Sequence, residues 1–131
     1  MRIVDTNIIV RYVLRDHEEM YAKAKTLLEE QEIFIPLEVV AEVVYVLEKV
    51  YRTERTDIRE TLLTLSDYEN LSFYEHDLMT ESFTFYCDER LDYIDALLCA
   101  YKKIKYAEID SFDKRLNNVL RQITTIDADD S

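Results

Sequence analysis

Apolar residues follow two rhythms along the 131-residue chain. Short consecutive apolar runs alternate with longer stretches in which apolar positions recur every three or four residues. The first pattern suits strands buried on both faces, the second amphipathic helices. Arg2-Ile3-Val4-Asp5 predicts a first strand. It passes at once into a helix that Thr6 or Asn7 caps, with Ile8, Ile9, Tyr12 and Val13 on its buried side. A second helix is expected over 17–31, and Ile33-Phe34-Ile35, closed by Pro36, predicts a second strand. Leu37, Val40, Val44, Leu47 and Tyr51 mark one face of the clearest helix. Thr56 caps a fourth helix carrying Ile58, Leu62 and Leu65, Leu71-Ser72-Phe73-Tyr74 is a third strand, and 77–88 is a fifth helix. Asp92 caps a sixth, with Ile94, Leu97, Leu98, Tyr101 and Ile104 facing inward. Strands over 107–111 and 123–126 flank a short helix over 113–121.

This alternation implies an α/β fold, a short parallel five-stranded sheet covered by helices on both faces. Right-handed crossovers then bring the C-terminal ends of the strands to one edge, where such sheets bind ligands. No linker, repeat or low-complexity block interrupts residues 1–131, which read as a single domain. The chain has no glycine and one proline, so glycine-built phosphate loops are excluded. Helices are expected to end on residues that tolerate left-handed backbone, such as Asn70 or Asn117.

Composition narrows the picture. Lysine and arginine number 16 against 28 acids, a net charge of −12, which argues against non-specific coating of nucleic acid and allows a basic partner. Cys87 and Cys99 form no CxxC pair and have no histidine cluster beside them, so they are expected as small buried thiols. The apolar start is broken by Asp5 and Arg11, and no run is long enough for a membrane span. A cytoplasmic protein with no membrane partner is the expectation.

The chemistry lies in four acids. Asp5 ends the first strand at the functional edge, where the capping alternative is redundant with Thr6 and Asn7. Glu42 lies one residue off the apolar line of its helix, at the border of the buried face; a solvated glutamate is the competing reading. Asp95 follows Asp92 by three residues in the first turn of the sixth helix, where Asp92 suits the cap and Asp95 the site. Asp113 follows the fourth strand and also stands where a helix cap belongs, with Ser111 placed to orient a carboxylate. Converging carboxylates repel and raise one another's pKa, and hard divalent cations such as Mg2+ or Mn2+ relieve that repulsion. Such ions activate water and stabilise the leaving oxygen of a phosphodiester, which links the cluster to nuclease chemistry.

Ile3-Val4-Asp5-Thr6-Asn7 resembles the opening of PIN domains, and Ala41-Glu42-Val43 is similar to their glutamate-bearing helix. Leu91-Asp92-Tyr93-Ile94-Asp95-Ala96-Leu97 resembles their third acidic motif and Ser111-Phe112-Asp113-Lys114 their fourth. The motifs keep the family's order over nearly the whole chain, and the length is similar to that of the VapC-like toxins of toxin–antitoxin modules. The resemblance implies a PIN-like three-layer sandwich and Mg2+- or Mn2+-dependent endoribonuclease activity. It also implies a homodimer and a cognate antitoxin. Carried over to this chain, the catalytic and metal site is Asp5, Glu42, Asp95 and Asp113, supported by Asn7, Ser111 and Asp92.

Arg11, Arg15, Lys102, Lys103, Lys114 and Arg115 are the candidate RNA contacts, each weighed against ordinary solvated surface. Two other functions compete: a catalytically silent PIN-type scaffold that binds a protein, and an acidic-pocket phosphatase or receiver-type domain. The second fits poorly, because Asn7 stands where a phosphatase of the haloacid type wants another aspartate. His17 and His76 lie outside every motif, which removes a histidine general base.

Overall fold

The computed structural model describes residues 1–124, and its backbone groups them into two compact units, Met1–His76 and the residues from Asp77 onward. In the first unit, Thr6–Leu14 form α1 and Glu18–Glu30 form α2. Strand β1, Ile33–Ile35, leads into α3, Leu37–Tyr45, whose axis continues through a π-helical stretch, Val46–Val50. Helix α4, Arg55–Ser66, and strand β2, Leu71–Phe73, complete the unit. The strands pair in parallel, with Ile33 opposite Leu71 and Ile35 opposite Phe73. Parallel strands need a helical crossover, which α3 and α4 supply.

Helix α1 packs against α2 and α3 through side chains that exclude water: Ile9, Leu28, Val43, Val44 and Leu47 have no exposed surface. Polar groups within this core are matched. Tyr12 donates its hydroxyl proton to Glu29 at 2.6 Å and receives that of Tyr68 at 2.8 Å. Burial, with these partners, raises the Tyr12 pKa far above the phenol range.

The second unit holds α5, which begins at His76 and runs to Asp88, α6, Tyr93–Lys105, and α7, Lys114–Gln122. Phe83, Tyr86 and Tyr93 form an aromatic cluster with ring centres 5.2 to 6.2 Å apart. Ser82 donates to the Met79 carbonyl at 2.5 Å, so the Tyr93 hydroxyl donates to Ser82 at 2.7 Å. Burial pushes the Tyr93 phenol up to about 12.

Two strands are present among the described residues where five are expected. Residues 2–5 lie alongside β1 through one bond, Phe34 N–H to the Arg2 carbonyl at 2.8 Å, without forming a ladder. Residues 107–111 form no strand, because Tyr106 turns left-handed (φ 57°) and commits both its own N–H and that of Ala107 to the Tyr101 carbonyl. Of the expected strand over 123–126, the first two residues are not strand and the rest lie outside the described residues.

Side-chain placement also differs in detail. Tyr51 and Ile94, expected inside, are exposed. Helix α4 begins at Arg55 behind Glu54, so Thr56 is inside the helix and not its cap. Left-handed helix ends fall to Arg15 and Tyr106 instead of Asn70 and Asn117. Asn70 instead ties α2 down, donating to the carbonyls of Leu28 and Gln31. Cys99 is buried and Cys87 half-buried, with no disulfide. No helix among the described residues is long and apolar enough to cross a membrane.

Candidate functional site

Asp5, Asn7 and Glu42 belong to the first unit. Asp5 stands in extended backbone (φ −83°, ψ 172°) at the head of α1, where its Oδ1 accepts the Ile8 N–H at 3.3 Å. The cap expected of Thr6 or Asn7 therefore falls to Asp5, since Thr6 is already helical and buried. Capping occupies one carboxylate oxygen of a residue that remains exposed. Glu42 is also exposed, between half-buried Ala41 and buried Val43, so no core desolvation bears on it.

Two residues after Asp5, the Asn7 side chain is held in place. Arg11 Nε donates to Asn7 Oδ1 at 3.2 Å, Nη1 to Asp16 at 2.6 Å and Nη2 to the Tyr51 hydroxyl at 2.6 Å. The guanidinium carbon also lies 5.8 Å from the Tyr51 ring centre. Tyr51 is 40 positions away from Arg11, and no local sequence signal marks the pair.

Asp92, Asp95 and Asp113 belong to the second unit. Asp95 is half-buried in the first turn of α6. Burial, then the negative charge of Asp113, then that of Asp92, raise its carboxyl pKa. Asp92 occupies the head of α6 without a side-chain capping bond; its backbone carbonyl accepts the Ala96 N–H at 2.9 Å. Asp113 caps α7, its Oδ1 accepting the Leu116 N–H at 2.8 Å. Ser111 shapes the approach: its Oγ accepts the Asp113 N–H at 3.0 Å, and its carbonyl accepts from Asn117 Nδ2 at 2.8 Å. One helical turn beyond Asp95, Cys99 has its thiol pushed up to about 11 by burial, then by Asp95 and Glu89.

The candidate RNA contacts are mostly engaged within the protein. Arg15 stacks 5.2 Å over the Tyr21 ring, Lys103 pairs with Glu81 at 2.6 Å, and Arg115 donates to the Glu89 carbonyl. Lys102 is half-buried and Lys114 exposed. Phe112, which sequence reasoning passed over, is fully exposed beside Asp113. A cleft of about 450 Å³ in the first unit is lined by Tyr12, Arg15, Asp57, Glu60, Thr64 and Tyr68, and none of the candidate acids borders it.

Among the described residues, no three or more His, Cys, Asp or Glu side chains stand close enough together to hold a metal ion. The donor chemistry nonetheless suits a hard cation. All the candidate donors are carboxylate oxygens, and Asp95 feels two neighbouring carboxylates that leave its charged form poorly compensated. A soft-metal or redox centre does not fit this set.

The sequence profile of the PIN domain family matches residues 2–121. The chain is 28% identical over 125 residues to a VapC ribonuclease of Aquifex aeolicus (strain VF5), covering 91% of this chain and 92% of that protein. No solved structure matches it at a significant level. With the family profile spanning all four acidic motifs, the chain belongs to the PIN domain family.

Proposed function

We propose that this protein is a divalent-metal-dependent endoribonuclease and the toxin of a toxin–antitoxin pair. The carrying observation is the family match over residues 2–121, which contains Asp5, Glu42, Asp95 and Asp113 in order. The similarity to a VapC ribonuclease over nearly the full length of both chains supports the choice of RNA as substrate. In this reading the four acids hold Mg2+ or Mn2+, and Asn7, Ser111 and Asp92 support them. Bound there, the ion supplies a water of lowered pKa and charge stabilisation for the leaving oxygen.

The chain's own residues have distinct tasks. Asp5 and Asp113 each use one oxygen to fix a helix start, which orients the carboxylate that remains. Ser111 holds the turn that presents Asp113. Asp95, crowded by Asp92 and Asp113, has the most to gain from a cation. The net charge of −12 supports a basic antitoxin as the inhibiting partner, and a homodimer located in the cytoplasm completes the proposal.

The test is cleavage of single-stranded RNA by the purified protein with Mn2+ or Mg2+, compared with EDTA and with Asp95→Asn. Cutting that needs the cation and falls by about 100-fold or more in the variant supports the reading. A folded protein that binds RNA or an antitoxin without cutting under any divalent cation would instead be a silent scaffold.

A further inference from the structure

We propose that Arg11 is a positioning residue, not a phosphate contact, and that it turns the Asn7 amide so that Nδ2 donates a hydrogen bond to a phosphoryl oxygen of the substrate. This rests on the nuclease reading above. An arginine Nε–H only donates, so the Asn7 atom it meets at 3.2 Å must be the oxygen. The amide orientation is thus fixed by chemistry. Asn7 Nδ2, the side chain's sole donor, finds no acceptor among the described residues, and Asn7 is exposed. Asp5 heads α1 and Asn7 lies in its first turn, and the substrate phosphate is placed at that helix start. A neutral donor suits such a place: it stabilises an anionic oxygen without competing with the cation.

Arg11 is unsuited to contacting phosphate itself. Its three donating nitrogens are directed at Asn7, Asp16 and Tyr51, its guanidinium carbon lies 5.8 Å from the Tyr51 ring centre, and its side chain is only 18% exposed. Lysine cannot reproduce this, since a single ammonium lacks the planar fork that joins separate acceptors.

The experiment combines three measurements on the full chain. Cleavage of single-stranded RNA with Mn2+ gives kcat and KM. Binding of the same RNA at several salt concentrations, with Ca2+ replacing Mn2+, gives the salt slope. NMR of the Arg11 Nε–H reads the clamp without substrate. For Asn7→Ala and Asn7→Asp we expect kcat to fall about 100-fold, as for loss of one oxyanion donor, with KM little changed. For Arg11→Lys and Tyr51→Phe we expect a lower kcat with the parent salt slope, and a protected Nε–H in the parent that is lost in Asn7→Ala. Tyr51→Phe keeps the ring and serves if Arg11→Lys fails to fold.

A salt slope shallower by about 0.7 in Arg11→Gln, which removes the charge that Arg11→Lys keeps, is the signature of one lost single-strand phosphate contact and overturns the proposal. Full activity in Asn7→Asp, or a parent Nε–H that exchanges like those of exposed arginines, overturns it as well. A parent that binds RNA but cuts none defeats the nuclease reading alone, and the salt slope and Nε–H then decide the Arg11 assignment.

Discussion

Asp5 and Asp113 each combine a structural task with a candidate chemical one, and asparagine separates the two. Asparagine caps a helix about as well as aspartate, whereas alanine costs about 1 kcal/mol at such positions. Asp5→Asn and Asp113→Asn are therefore expected to keep the parent melting temperature but lose RNA cleavage, and the alanine variants to lose both. If Asp5→Asn retained full activity, Asp5 would be a cap and nothing more. The absence of glycine leaves its own mark at this scale. Arg15, Arg52, Glu75, Arg90 and Tyr106 all adopt positive φ, where a β-carbon is crowded. Arg52→Gly relieves that crowding at an exposed site (φ 55°) and is expected to stabilise by up to about 1 kcal/mol, readable by chemical denaturation. The candidate acids could be named from the sequence because they sit in linear motifs within the span that the family profile matches. The Arg11–Tyr51 contact could not, since it depends on a fold-level approach of distant positions.

Among the elements, helices were read closely and strands poorly. The expected helices over 17–31, 77–88 and 113–121 are found as Glu18–Glu30, His76–Asp88 and Lys114–Gln122, because helical periodicity is local and repeats over several turns. A strand exists only through a neighbour. Residues 2–5 have the apolar character of one but make a single bond to β1, and 107–111 are diverted by the end of α6. The first turn of α6 carries a pH dependence. Asp95 has a folded pKa above its unfolded value near 3.8, so the folded state takes up its proton first as pH falls. Its contribution to stability therefore improves on acidification between the raised pKa and that value, and is least favourable above the raised pKa. Asp95→Asn is expected to raise the melting temperature in EDTA at pH 7 and to flatten this part of the pH profile. An unchanged profile would show that neither burial nor the neighbouring acids raise the Asp95 pKa.

For the whole molecule, the governing quantity is the net charge of −12, with its cost in self-repulsion. If the acids bind a cation, Mn2+ stabilises the protein by mass action, about 2.7 kcal/mol at a hundredfold excess over Kd. Thermal unfolding should show a Mn2+-dependent rise that NaCl of equal ionic strength does not reproduce and that Asp95→Asn diminishes. Equal shifts with both salts would reduce the effect to screening. Charge allowed a basic partner without deciding on one, and nothing in it or in the composition foretold the grouping of the backbone into two compact units. That grouping follows from which residues meet, and apolar periodicity does not record it.

The π-helical stretch at Val46–Val50 fits one more residue into its turn than a regular helix would. The wide turn absorbs that surplus. Deleting one residue there would restore regular winding and leave Tyr51 near its present angle, whereas inserting one in regular winding would swing it about 100° around the axis, out of Arg11's reach. An unabsorbed length change at the far end of one helix would thus be felt at the beginning of another, where Asn7 sits. Variation in chain length across this stretch is consequently a means of tuning the protein without altering any acid.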